Sequence, residues 1–286
     1  MLKYISEHEE GYLTVQCKEK RLAMQSENRN GLIVMKYVRL INSENELKYG
    51  VIEGEMVRLL DGSFLDSKSN PTDIYLPLDG ITLLAPVEPS KVICVGLNYA
   101  LHIKEMNHKL PEDPVIFMKA PTCIIGPEAE IVYPRISQQV DYEAELAVII
   151  GSTIKDVTEA EAAEAIFGYT CANDVTARDL QKKDGQWTRG KSFDTFCPIG
   201  PWIVTDIDPN QLDIQLLLNG EVKQSSNTRN FITSVPKLVS FISQVMTLIP
   251  GDVVLTGTPE GVGPMQSGDE VIVKIQAIGE LHNTLK

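Results

Sequence analysis

Basic residues are in deficit: 26 Lys and Arg stand against 39 Asp and Glu, a formal net charge of −13 at pH 7. Nucleic acids and anionic membrane surfaces call for a basic patch, so the sequence excludes both as expected partners. Cysteine is sparse and scattered. Cys17, Cys94, Cys123, Cys171 and Cys197 are odd in number and form no C-x-x-C pair. That excludes a disulfide framework and a thiolate zinc site, and it points to a reducing cytoplasm. No apolar run reaches the ~20 residues of a membrane-spanning helix. The opening MLKYISEHEEGYL lacks the basic flank and apolar stretch of a secretory signal. Internal repeats and low-complexity tracts are missing as well.

What remains is ordinary globular material. The chain has 286 residues, 43% hydrophobic and 23% charged, enough to bury a core without staples and a length that suits one or two domains. Residues 1–34 are mostly polar, with KEKR at 18–21 and SENRN at 26–30. They read as an N-terminal extension, either mobile or an upstream-start artefact, with a helix over 16–25 as the alternative. Met35 opens the strand-like MKYVRLI, and short strands over 37–41, 49–52 and 56–60 predict a small N-terminal β domain over 35–86. Pro77, Pro86 and Pro89 mark the link to a larger domain over 91–286.

In that larger domain the pattern predicts strands over 91–95, 145–150, 202–204, 214–218, 253–256 and 271–275. Asn219-Gly220 predicts a two-residue hairpin turn. Thr158-x-x-Glu161 is a capping box that opens a helix running to Phe167. A second helix follows Ser234, with Val235, Leu238, Val239, Ile242, Val245 and Met246 at helical spacing up to Pro250-Gly251. Strands outnumber helices and do not alternate with them, so a β-rich α+β domain is expected rather than a doubly wound parallel sheet.

The chemistry concentrates in DYEAELAVII (141–150). Its second half is apolar on both faces, the mark of a doubly buried strand. Side chains alternate along a strand, so Glu143 and Glu145 share one face, roughly 6.5–7 Å apart, with Ala147 and Ile149. Two like charges entering a core are costly unless something positive lies between them. A divalent metal is one answer, with a third carboxylate supplied by CANDVTARD (171–179). With no His or Cys close by, such an all-oxygen ligand set suits Mg²⁺ or Mn²⁺. The alternative is that the pair meets Arg178 or Lys191, or lies on a solvated edge.

Other segments carry two readings each. GTPEGVG (257–263) lacks the Lys-Ser/Thr ending and following helix of a phosphate loop; it is a tight turn or a backbone wall beside a ligand. His102 and Glu105, three apart, share a helical face and suit acid–base work, or they form a solvated surface. Lys191 is either a buried cation or a plain surface lysine.

Six blocks taken in order resemble the fumarylacetoacetate hydrolase family: VGLNYALHIKE (95–105), DYEAELAVIIG (141–151), GYTCANDVTARDLQ (168–181), GKSFDTFCPIGP (190–201), LIPGDVVLTGTPEGVG (248–263) and AIGELHNTL (277–285). Residues 35–86 look like the small N-terminal β domain that many members carry, and 1–34 have no counterpart. The resemblance implies a roll of packed mixed β-sheets, usually a homodimer, and one Mg²⁺ or Mn²⁺ held at the positions of Glu143, Glu145 and Asp174. It implies that Arg178, Gln181, Lys191 and Thr258 line the substrate side. His102 and Glu105 would fall on a mobile segment that orders over the ligand, continuing through Asn107, His108 and Glu112. The eponymous enzyme's additional metal-site aspartate has no evident match, which places the chain with a three-carboxylate subgroup and away from fumarylacetoacetate itself.

The implied substrates are 2-oxo acids with a second carbonyl or carboxylate, chelating the ion through the C1 carboxylate and C2 oxygen. The ion acts as Lewis acid for an enolate, and Arg178 or Lys191 adds electrostatic support. Cleavage of acylpyruvates by water, activated by His102 and Glu105, or decarboxylation of oxaloacetate, is the first expectation. Isomerisation of the 2-hydroxyhepta-2,4-dienedioate type is the second, and a non-catalytic metal-binding protein the third.

Overall fold

The computed structural model describes residues 34–105 and 109–286. The extension with its alternative helix over 16–25 lies outside them apart from residue 34, as do Asn107 and His108. Strands β1 (Lys36–Ile41), β2 (Leu47–Glu53), β3 (Met56–Leu60) and β4 (Pro71–Pro77) form an antiparallel meander. Val38 and Leu40 of β1 pack with Val57 and Leu59 of β3 in a small core of their own. Tyr37 points the other way, as alternation requires, into a ring cluster with Phe64, Tyr49 and Phe167, centroids 5.1–5.5 Å apart. β5 (Thr82–Leu83) also pairs with β1.

The rest of the chain adds β6 (Val92–Gly96), β7 (Val115–Lys119), β8 (Ile124–Ile125), β9 (Glu130–Ile131), β10 (Val140–Tyr142), β11 (Ala144–Ile150), β12 (Ile166–Asn173) and β13 (Thr176–Ala177). There follow β14 (Cys197–Val204), β15 (Asp213–Leu218), β16 (Glu221–Asn227), β17 (Val253–Leu255), β18 (Gly263–Met265), β19 (Glu270–Ile275) and β20 (Gly279–Leu285). One large sheet runs β4-β3-β2-β1-β14-β12-β11-β17-β6-β7, joined to the meander where Lys36 and Tyr37 pair with Val204 and Ile203. A second sheet runs β16-β15-β19-β20-β9, and a small third one β13-β10-β18. The sheets are mixed: β6 and β17, β8 and β14, and β9 and β20 pair in parallel. β15 and β19 lie against β11, and β19 and β20 against β12. Sandwiched in this way, β11 and β12 are buried along their whole length, which their unbroken apolar runs require. The fold is β-rich α+β, as expected.

Five α-helices lie among the described residues: α1 (Ala100–Glu105), α2 (Glu159–Ala165), α3 (Arg178–Asp184), α4 (Thr188–Lys191) and α5 (Val235–Val245). Thr158 and Glu161 form the reciprocal capping box at α2. The helix stops at Ala165, short of Phe167, because Ile166 and Phe167 are drawn into the large sheet as the start of β12. α5 likewise ends at Val245, with Met246 extended. Asn219 and Gly220 both have positive φ, 52° and 79°, and close the β15–β16 hairpin; two successive left-handed residues are what Asn-Gly supplies. Among the described residues no helix is long and apolar enough to cross a membrane.

Candidate active site

The chain passes from one sheet to another at a single residue. β10 pairs with β13 and β18, whereas β11 pairs with β12 and β17; Glu143 is the residue between them. Its N–H donates to Asn173 Oδ1 (2.9 Å), and its carbonyl accepts from the Asp174 N–H (2.9 Å). The end of β10 and the end of β12 are thus tied together, which brings Asp174 to the glutamates. Ligand oxygens of Glu143, Glu145 and Asp174 lie within 4.8 Å of one another, and all three residues are buried. Asp179, the other acid offered by 171–179, faces elsewhere, accepting from Ser137 Oγ and the Gln138 N–H.

Three cations attend this cluster. Lys191 Nζ lies 2.9 Å from Glu143 Oε2 and 2.6 Å from Asp174 Oδ2. Arg178 reaches Glu143 Oε1 through Nη2 (2.5 Å) and Asp141 Oδ2 through Nε (2.7 Å). Lys119 Nζ donates to Asp174 Oδ1 (2.6 Å) and to the Val175 carbonyl (3.1 Å). Both alternatives open at the level of sequence therefore meet: Arg178 and Lys191 do pair with Glu143, inside a converging trio of carboxylates. Glu145 is treated differently. It accepts from the Gly257 N–H (2.6 Å) and has no cationic partner among the described residues.

The electrostatics follow from that difference. Burial, compounded by the Asp174 and Glu143 charges, pushes the Glu145 carboxyl well above the usual carboxylate range. Burial would raise Glu143 too, but Lys191 and Arg178 outweigh it and hold that carboxyl far below the ordinary value. For Lys119, burial is opposed by Asp174, and the ammonium form wins. Four buried acids (Asp141, Glu143, Glu145, Asp174) face three buried bases (Lys119, Arg178, Lys191), so ionising all of them would leave one negative charge over where three carboxylates converge, and Glu145 resists that last ionisation. An all-oxygen donor set with surplus negative charge fits a hard divalent cation.

A cavity of about 360 Å³ opens onto these groups. Glu143, Glu145, Asp174, Arg178, Gln181, Lys191, Thr258 and His102 all line it, with Val95, Leu97, Phe117 and Trp187 as its apolar side. Glu105 stands behind His102, whose Nδ1 is 3.1 Å from Glu105 Oε2. The glycine-rich loop is both turn and wall. Gly257 and Gly261 have φ of +97° and +94°, and their N–H groups hold Glu145 and Glu105 respectively, the latter at 3.0 and 3.2 Å. A Cβ on Gly261 would meet the Lys223 carbonyl oxygen at 2.4 Å, so only glycine fits this positive-φ corner. Thr258 is buried, its hydroxyl accepting from Gln224 Nε2 (2.9 Å).

The family described as fumarylacetoacetate (FAA) hydrolase, C-terminal, matches residues 91–286, and one described as Rv2993c-like, N-terminal, matches 35–86. The chain belongs to the fumarylacetoacetate hydrolase family. Among relatives in that family, the mitochondrial oxaloacetate tautomerase Fahd2a of Rattus norvegicus is 45% identical over 220 residues, covering 73% of this chain and 70% of its own. The crystal structure of 2-hydroxyhepta-2,4-diene-1,7-dioate isomerase from Mycobacterium marinum is 45% identical, with a TM-score of 0.81 over 88% of this chain and 98% of that one. The 5-carboxymethyl-2-hydroxymuconate delta-isomerase of Mycobacterium smegmatis is 46% identical, with a TM-score of 0.82 over 88% and 99%.

Within this family fold, three buried residues of the site escaped the sequence reading. Asp141 carried a signal, because it extends the same-face series to 141, 143 and 145. Lys119 ends an apolar strand, VIFMK, and its carboxylate partner is 55 residues away. Gln224 accepts from the Ala144 N–H and donates to Thr258 and the Pro259 carbonyl. Nothing local marks it.

Proposed function

We propose that this chain is a divalent-metal-dependent enzyme that moves a proton at the carbon next to the keto group of small 2-oxo acids. The observation that carries this reading is the buried carboxylate trio, with one acid more than the buried bases can balance, opening into a cavity beside an acid–base pair. Glu143, Glu145 and Asp174 would hold Mg²⁺ or Mn²⁺. That ion, when bound, would supply Lewis acidity to the C1 carboxylate and C2 oxygen of the substrate.

The remaining steps belong to side chains. Lys191 would place positive charge beside the oxygen on which negative charge develops. Arg178 has all three guanidinium nitrogens engaged, by Asp141, Glu143 and Gln181, so its role is to fix those partners. His102 would exchange the proton, with Glu105 orienting its ring through Nδ1. Thr258 and Gln181 would bound the substrate. Isomerisation, keto–enol or along a dienol, comes first, supported by the isomerase and tautomerase names of the relatives. C–C hydrolysis of acylpyruvates or decarboxylation of oxaloacetate is the second reading, since the same His102–Glu105 pair could activate water. A homodimer, a cytoplasmic setting and a division into an N-terminal module over 35–86 and a catalytic domain over 91–286 belong to the same proposal.

The test is proton NMR in D₂O with Mg²⁺ or Mn²⁺, using pyruvate, oxaloacetate and an acylpyruvate. Deuterium exchange at C3 beyond the metal-only rate, abolished by EDTA, is expected. New pyruvate from the acylpyruvate or oxaloacetate would move cleavage ahead of isomerisation. Bound metal with neither outcome would leave the non-catalytic reading. His102→Ala should lower kcat by about 10²-fold, the usual scale of one acid–base group, while calorimetry still finds metal bound. A wild-type rate would remove His102 from proton transfer.

A further inference from the structure

We propose that Lys182 receives a second carboxylate at the far end of the substrate, giving a preference for 2-oxo dicarboxylates over 2-oxo acids with a neutral tail. The inference rests on the 2-oxo acid reading above and adds which end-group the cavity selects. Four residues of helix α3 and its C-cap line the cavity: Arg178, Gln181, Lys182 and Gly185. Their spacing, i, i+3, i+4 and i+7, is one face of a helix, so Lys182 rises from the stripe that faces the cavity. Asp184 lies off that stripe and takes Arg189 instead.

The other cations of the site are committed. Arg178 is engaged on every nitrogen, Lys191 bridges Glu143 and Asp174, and Lys119 is sealed against Asp174. Lys182 lines the same cavity, is exposed, and its side chain makes no hydrogen bond or ion pair with any described residue. Beside it, Gln181 Oε1 accepts from Arg178 Nη1 (2.7 Å). A guanidinium only donates, so this contact fixes the amide orientation and leaves the Gln181 NH₂ as a free donor group. An ammonium and an amide NH₂ on one helical stripe suit a carboxylate. The apolar side formed by Phe117 and Trp187 would meet the carbons between the two ends.

Calorimetry on the Mg²⁺-loaded protein tests this with two probes of matched shape, neither of which carries the β-carboxylate or second carbonyl that cleavage needs. These are 2-oxoglutarate, which ends in a carboxylate, and 5-methyl-2-oxohexanoate, which ends in an isopropyl group. Wild type should prefer 2-oxoglutarate by about tenfold, the scale of one hydrogen bond to a charged group. Lys182→Met should bring that ratio to about one, and Lys182→Glu should invert it. Lys183→Met, which removes a charge off the stripe, should keep the preference. The proposal is overturned if Lys182→Met retains the preference, if Lys183→Met loses it equally, or if wild type binds both probes alike. Failure of wild type to bind either probe would overturn the 2-oxo acid reading and this one with it.

Discussion

Glu145→Gln will lose its divalent metal and its turnover while remaining at least as stable as the wild type. The two halves of that result have one cause. Glu145 is buried beside two other carboxylates with no cation of its own, so in the metal-free protein ionising it is costly and the carboxyl is held neutral. Glutamine keeps an oxygen to accept from the Gly257 N–H and turns a donor toward Glu143 and Asp174. Metal affinity should fall by at least about 100-fold, since a charged ligand is removed outright. Turnover should drop by about 10³-fold with it. The melting temperature without metal should hold or rise, because a glutamine is buried neutral without first taking up a proton, which contributes on the order of 1–2 kcal/mol. Calorimetric titration with Mn²⁺ and a thermal melt in EDTA check both halves. Undiminished Mn²⁺ affinity would remove Glu145 from the ligand set.

Lys119→Met will behave in the opposite way and destabilise the fold. The ammonium is fully buried, with Asp174 Oδ1 and the Val175 carbonyl as its partners. Without it Asp174 keeps only Lys191, which it shares with Glu143, and a buried carboxylate so under-neutralised costs about 3–5 kcal/mol. For a chain of this size that corresponds to roughly 10 °C in melting temperature. Adding Asp174→Asn should recover part of the loss, because the under-neutralised charge then goes too. The measurement is a set of four melts: wild type, each single variant and the double. Additive losses would mean that the two side chains do not interact.

The residues that sequence reasoning located and those it missed differ in where their signal lies. Glu143 and Glu145 are two apart on a strand, so alternation alone places them together. The strand following them shows its double burial in its apolar run. Whether cations or a metal meet the pair is not legible locally, because Arg178 and Lys191 sit 35 and 48 residues from Glu143 and only tertiary folding brings them in. β14 was predicted over 202–204 alone. Pro198, Gly200 and Pro201 hide its first half, since prolines argue against a central strand. Lys119 and Gln224 had no local signature. The helical stripe Arg178, Gln181, Lys182 was present in the sequence, but only the cavity shows which way that stripe faces.

The ring cluster of Tyr37, Tyr49, Phe64 and Phe167 takes three members from the meander and one from β12. Together with the β1–β14 pairing, it makes residues 35–86 a structural tenant of the sheet that carries β11 and β12. Such a portion cannot denature alone without baring Phe167 and the open edge of Ile203 and Val204 to water. Residues 35–86 should accordingly resist limited proteolysis for as long as the rest of the molecule does, and differential scanning calorimetry should record one cooperative transition for both.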